Sequence, residues 1–179
     1  MIRSYIRNNA VAIIALVVAV VSLGYTAYQV HILIKHNHVS VEPRITAYQM
    51  LSPSDDKVGV YAVNNGLGPA FFEHFSVYID GVDIKGKQFI SVKSKLYAAL
   101  ELIGLKPDCF IVAEPNKNHS IAMHEEVALI KIKVSNGGCD RELKLFMEQH
   151  HRLDFQMDFE SIYHDKFSYT YQNNTQIER

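Results

Sequence analysis

The chain has 179 residues, a formal net charge of -1, 48% hydrophobic and 21% charged residues, two cysteines and no tryptophan, which fits one folded domain and leaves little room for a second. All 19 acidic residues fall at Glu42 or later and 16 of the 18 basic ones at Lys35 or later, so that part carries -3; neither portion is basic enough for a nucleic-acid surface, and no nucleic-acid partner is expected. Nine glycines and five prolines exclude a collagen-like or low-complexity chain, and two cysteines exclude a disulfide-dense scaffold. What remains is a membrane anchor plus one globular domain.

Residues 1–9 read as a cytoplasmic tail and residues 10–34 as a transmembrane helix whose partner is the lipid bilayer. From Asn8 to Ile34 no residue is formally charged if His31 is neutral, and residues 10–21 are unbroken Ala, Val, Ile and Leu. A helix over 8–34 is about 40 Å long, more than the hydrocarbon core of about 30 Å requires. Tyr25 and Tyr28 follow the most apolar part, and Arg3, Arg7 and Lys35 bracket it, the arrangement of a helix crossing two interfaces. The competing reading is a cleaved secretory signal ending near Ser22-Leu23-Gly24. The hydrophobic pattern continues past that site through Val30, Ile32, Leu33 and Ile34, which favours the uncleaved anchor. Ala15, Ala19 and Ser22 share one helical face and could support helix association. Arg3, Arg7 and the terminal amine against Lys35 and Arg44 place the N-terminus inside. In a bacterium the anchor then lies in the inner membrane, with the domain in the periplasm or on the outer surface.

Residues 35–40 read as a polar linker and 41–172 as the globular domain. Strands are expected at 41–51, where Pro43 suits an edge, at 57–64, and at 70–80, where Phe75, Val77 and Ile79 share one face and His74, Ser76 and Tyr78 the other. Between the first two, residues 52–56 make a polar turn. Residues 94–103 read as an amphipathic helix, with Leu96, Ala99, Leu100 and Ile103 in phase, Ser94 as N-cap and Gly104 as stop. Further strands are expected near 109–113, 120–123 and 127–135, the last followed by Asn136-Gly137-Gly138. Residues 141–151 carry two competing periods: residue types favour a helix, while Leu143, Leu145 and Met147 keep the strand parity of Leu153, Phe155, Met157 and Phe159. A hairpin pairs 153–162 with 167–172, and 173–179 reads as a frayed tail. Seven or so short strands with one or two short helices predict an antiparallel β-sandwich, with a small β-barrel as the alternative.

Asn64-Asn65-Gly66-Leu67-Gly68-Pro69-Ala70 resembles the Asn-x-Gly-x-Gly-Pro-Ala connection of uncharacterised bacterial single-pass membrane proteins with an extracytoplasmic immunoglobulin-like β-sandwich. Phe159-Glu160-Ser161-Ile162-Tyr163 with Phe167 is similar to their terminal hairpin, although His164 stands where that hairpin has glycine. The resemblance implies the sandwich and the envelope location, and no activity.

The same glycine-rich stretch could be taken for a phosphate cradle, but it lacks the lysine and hydroxyl of a P-loop and precedes a strand. Asn64, Asn65, Gly66, Gly68 and Pro69 read instead as a structural turn, the glycines permitting positive φ. Cys109 and Cys139 bound a loop of about 30 residues and either form a disulfide, worth roughly 3 to 4 kcal/mol, or serve as two small buried hydrophobes. Nine histidines raise a metal site, yet none has a partner four residues away on a helix, and His124-Glu125-Glu126-Val127-Ala128 has alanine where a zinc helix needs its second histidine. There is no Gly-x-Ser-x-Gly elbow, and Asp154, Gln156, Asp158 and Glu160 read as the wet face of a strand. No catalytic residue, metal ligand or cofactor is therefore expected. Tyr61, Tyr78, Tyr97, Tyr163, Tyr169 and Tyr171 fit either a binding face or sheet faces.

The reading that follows is a membrane-anchored, non-catalytic interaction or structural protein with an unidentified protein partner, compatible with a homo-oligomer. The alternative is a membrane-tethered ligand-sensing module facing the cytoplasm that signals through helix association.

Overall fold

A computed structural model of the chain describes residues 9–52, 57–84, 94–133 and 138–179. Residues 1–8 of the expected tail at 1–9, residues 53–56 of the expected turn at 52–56, the last two residues of the strand expected at 127–135 and Asn136-Gly137 lie outside the described residues. Helix α1 (Ala10–Ser40) has 31 residues, none of them buried, and is long and apolar enough to cross a membrane, with a mean hydropathy of 2.4 over an 18-residue window. It continues through residues 35–40, which the sequence reading assigned to a linker. His36, Asn37 and His38 are polar, but no glycine or proline stands between Gly24 and Pro43 to break the backbone hydrogen bonds. Ser40 Oγ donates to the His36 carbonyl at 2.6 Å within that last turn.

Residues 41–179 form a separate unit. Its strands are β1 (Ile45–Ser52), β2 (Lys57–Asn64), β3 (Ala70–Ile79), β4 (Val82–Asp83), β5 (Phe110–Val112), β6 (Ser120–Ile121), β7 (Glu126–Ile132), β8 (Leu153–Glu160), β9 (Lys166–Thr170) and β10 (Thr175–Glu178), with helices α2 (Lys95–Leu102) and α3 (Asp140–Gln149). They make two antiparallel sheets, one ordered β1-β2-β7-β5 and the other β10-β9-β8-β3-β4, with β6 added at the start of β3. The ladders are open-edged, so the fold is a pair of sheets rather than the closed barrel held as the alternative.

The sheets share one core because each inner strand offers apolar side chains to the other. In β8, Leu153, Phe155, Met157 and Phe159 are buried at every second position, as the period of two requires. Strand β2 is buried on both faces at Val58, Val60, Tyr61 and Ala62. At Gly59 a Cβ would lie 1.8 Å from the Ile130 carbonyl oxygen, so the β2–β7 ladder closes only around glycine, beside its bulge at Val60/Tyr61. Phe75 packs on Phe155 with ring centroids 5.7 Å apart.

Local signals placed α2. Ser94 Oγ accepts from the Tyr97 amide at 3.3 Å, Leu96, Ala99, Leu100 and Ile103 are all buried, and Gly104 has φ 86° at the stop. Between the two competing periods at 141–151 the helix wins. Helix α3 drives Phe146 into the core against Phe110 at 5.9 Å, and a short turn at His150–Arg152 resets the chain into β8. The tail is corrected outright: residues 175–178 are strand β10, paired with β9 from Thr175↔Thr170 to Glu178↔Phe167. Asn174 adopts φ 46° in the connecting turn, a conformation asparagine tolerates.

Candidate functional site

The start of β1, β3 and β7, the end of β2 and β8, and the turns joining them all lie at one end of the domain, as the registers Ile45↔Asn64, Val63↔Glu126, Ala70↔Ile121 and Phe71↔Glu160 require. This is the end at which the chain enters through Val41, and we call it proximal. Its centre is Asn64, fully buried. The side-chain Nδ2 donates to the carbonyls of Gly68 at 2.7 Å and Ile121 at 3.1 Å. Its Oδ1 accepts from the amides of Gly66 at 2.9 Å and Arg44 at 3.0 Å. The backbone of the same residue bonds Glu125 and His124. All four side-chain positions are thus used, and one residue ties the lead-in to β1, the β2–β3 connection, β6 and the β6–β7 turn together.

The glycines of this turn act differently from the expectation of positive φ. Neither Gly66 nor Gly68 has a left-handed φ. Instead a Cβ on Gly66 would fall 2.3 Å from the Glu42 carbonyl oxygen and one on Gly68 1.8 Å from that of Val41, so both are there to let two backbones touch. Asn65 adds a backbone bond to the Arg44 carbonyl at 2.8 Å, and Pro69 leads into β3. His164, by contrast, does take φ 65° where the resembling hairpin has glycine, and its Nδ1 contacts Glu160 Oε1 at 3.0 Å.

Beside this turn a cleft of about 430 Å³ opens between the β5–β6 connection and β7, with Phe72, Ile121 and Val127 in its lining and Glu114, Glu125 and His119 among its polar groups. Sequence reasoning missed it because its parts come from four separate segments. Glu114 Oε1 accepts from Ser94 Oγ at 2.9 Å and the Leu96 amide at 2.5 Å, which makes it a second cap of α2. Glu125 Oε2 accepts from the Ala122 amide at 2.7 Å, and His124 holds φ 59°, so the zinc-like His-Glu-Glu stretch is a tight turn and not a helix. The cleft can receive a side chain or small group of mixed apolar and polar character. Among the described residues no three metal-ligating side chains converge.

The opposite, distal end holds the cysteines. Cys109 and Cys139 are joined in a disulfide with Cα atoms 5.7 Å apart, fastening the segment before α3 to the start of edge strand β5. Arg152 clasps Asp80 there through Nε at 3.0 Å and a second nitrogen at 2.5 Å, which holds the Asp80 carboxyl below its ordinary value.

The expected wet face of β8 is half-buried. Burial opposes ionisation of Asp158, but hydrogen bonds from Gln156 at 2.9 Å and Ser168 at 2.8 Å, with Arg179 at 2.9 Å, outweigh it and hold the carboxyl below its ordinary value. The tyrosines divide unevenly. Tyr61 and Tyr169 are core residues, Tyr171 stacks on Phe155 at 4.5 Å and Tyr97 donates to the Phe110 carbonyl. Tyr169 Oη accepts from the Ala47 amide and donates to Asn174, both at 2.8 Å, stitching the two sheets. On the outer face of β1, Tyr48 donates to Glu126, and that bond chiefly pushes its phenol up to about 12. Tyr163 alone of the six named in the sequence is exposed.

No protein-family model, no curated relative and no solved structure matches the chain.

Proposed function

We propose that this protein is a single-pass membrane protein whose two-sheet domain is a non-catalytic interaction or structural module held outside the cytoplasm of a bacterium. The observation that carries the reading is α1: 31 apolar-rich residues, none buried, leading without a break into a domain that packs its own core. A helix apolar all round needs a nonaqueous surrounding. The strand orders β1-β2-β7-β5 and β10-β9-β8-β3-β4, with β6 on β3, contain the A-B-E-D and G-F-C orders of an immunoglobulin-like sandwich, with β4 in the place of C′ and β6 and β10 as further additions, which supports an immunoglobulin-like sandwich. The Cys109–Cys139 bridge supports an oxidising compartment. Glu114 and Glu125, the carboxylates of the cleft, hold backbone amides in place, in keeping with a scaffold rather than an acid–base site.

A reporter active only outside the cytoplasm, fused after Arg179, tests the reading beside a cytoplasm-only counterpart. Activity of the first, with crosslinking in intact cells to a partner or to a second copy, is the expected result. Activity of the second overturns it and turns attention to a cytoplasmic ligand for the cleft.

A further inference from the structure

At the proximal end the turns carry apolar side chains that the core does not take up. Leu67 is 62% exposed, Met123 49%, Ile162 45% and Tyr163 42%. They come from three different connections, β2–β3, β6–β7 and β8–β9, which the strand registers bring to one end. Asn64 draws these turns together by bonding Gly68, Ile121 and His124, while Ala70↔Ile121 and Phe71↔Glu160 put the third a strand away. Adjacent strands lie about 5 Å apart, so the registers gather the four tips at one end of the domain, within a few strand spacings of one another. Turn tips are ordinarily polar.

The occupant follows from the chain itself. Leu67 lies between Gly66 and Gly68, whose backbones press on Glu42 and Val41, the first two residues after α1. A helix of 31 residues is about 46 Å long, close to the thickness of a bilayer with its headgroups, about 40–45 Å. Val41 therefore leaves the helix at the level of the headgroups, and Leu67, beside it, stands at the same level. Leucine, methionine and isoleucine suit the outer acyl region, and tyrosine suits the interface itself.

We propose that the proximal turns, through Leu67, Met123, Ile162 and Tyr163, rest in the interfacial layer of the membrane that α1 crosses, so that the domain lies against the lipid surface with its distal end outward. The proposal rests on the membrane reading above, and the test separates the two. The protein has no tryptophan, so Leu67→Trp, Ile162→Trp, Val82→Trp and Leu16→Trp each give the full chain a single reporter at an exposed position. Each is reconstituted in phosphatidylcholine vesicles with and without bromine on the upper acyl chain. Tryptophan at 16 reads the anchor, and Val82, the first residue of β4 at the distal end, is the control. The expected result is that tryptophan at 67 and 162 loses most of its emission to the brominated lipid, with that at 82 unchanged. Unquenched emission at 67 and 162 beside a quenched residue 16 overturns the proposal, leaves the anchor standing and assigns the patch to a protein. Equal quenching at 82 also overturns it, and an unquenched residue 16 removes the anchor and the proposal together.

Discussion

The two ends of the sandwich are fastened by different physics. The proximal end is held by four hydrogen bonds from the side chain of one buried asparagine and by glycine backbones in contact with the incoming chain. The distal end is held by a covalent bridge between the α3 segment and β5. A short connection can be fixed by satisfying its buried polar groups, because few residues must be ordered. A long crossover such as that from β7 through α3 to β8 carries more chain entropy, and a cross-link acts on that entropy in the unfolded state.

The largest effect should come from Gly68→Ala, whose new methyl meets the Val41 backbone at 1.8 Å. A loss of about 5 kcal/mol is expected, enough to abolish folding in an ordinary domain, and a normal urea midpoint for the full chain in detergent would break the account of the proximal end. Asn64→Ala leaves two carbonyls and two amides without partners and should cost about 4 kcal/mol. Asn64→Asp keeps the acceptors but loses both donors, so it too should unfold early. Cys109→Ser with Cys139→Ser should cost about 3.5 kcal/mol, and dithiothreitol should lower the wild type by the same amount while leaving the double variant unmoved. Strand β8 spans about 26 Å between the ends, so the Asn64→Ala and cysteine losses should add within about 0.5 kcal/mol. A large coupling would show that the ends are not independent.

The smallest effect concerns acid. Because the folded Asp158 carboxyl lies below its ordinary value of 3.8, its contribution is present above that value and fades as pH falls through the lower folded one. Stability curves of wild type and Asp158→Asn should therefore converge below about pH 4. Curves that stay parallel well below that pH would exclude the network as the cause.

Much of the fold was legible where local chemistry and tertiary demand agree. The ends of β2, the start of β3 and α2 follow from Asn64, Pro69, Ser94 and Gly104, each of which marks a boundary by its own backbone preference. Strand β8 was legible because it alternates cleanly. Misreadings arose where composition stood in for geometry. His36–Ser40 looked like a linker because it is polar, though helices end at glycine or proline rather than at polarity. Thr175–Glu178 looked like a tail because it is short and terminal, though Asn173-Asn174 before it is a turn signal. The role of Gly66 and Gly68 could not be read at all, since the backbone they admit lies more than twenty residues earlier. The cleft was invisible for the same reason.

Gln176 of β10 donates from Nε2 to the Pro43 carbonyl at 2.8 Å and accepts at Oε1 from the Ile45 amide at 2.9 Å, and the Arg179 amide bonds the Lys166 carbonyl. The last residues thereby finish beside the first residues of the domain, and whatever is appended after Arg179, whether an affinity tag or another module, starts from the side where the chain arrived. The disulfide-bound end of the domain is clear of both Val41, where the domain begins, and Arg179. Mechanical load applied through Arg179 would meet its bonds to Asp158 and Lys166 and then the Gln176 amide, peeling β10 away before any ladder of the core is strained.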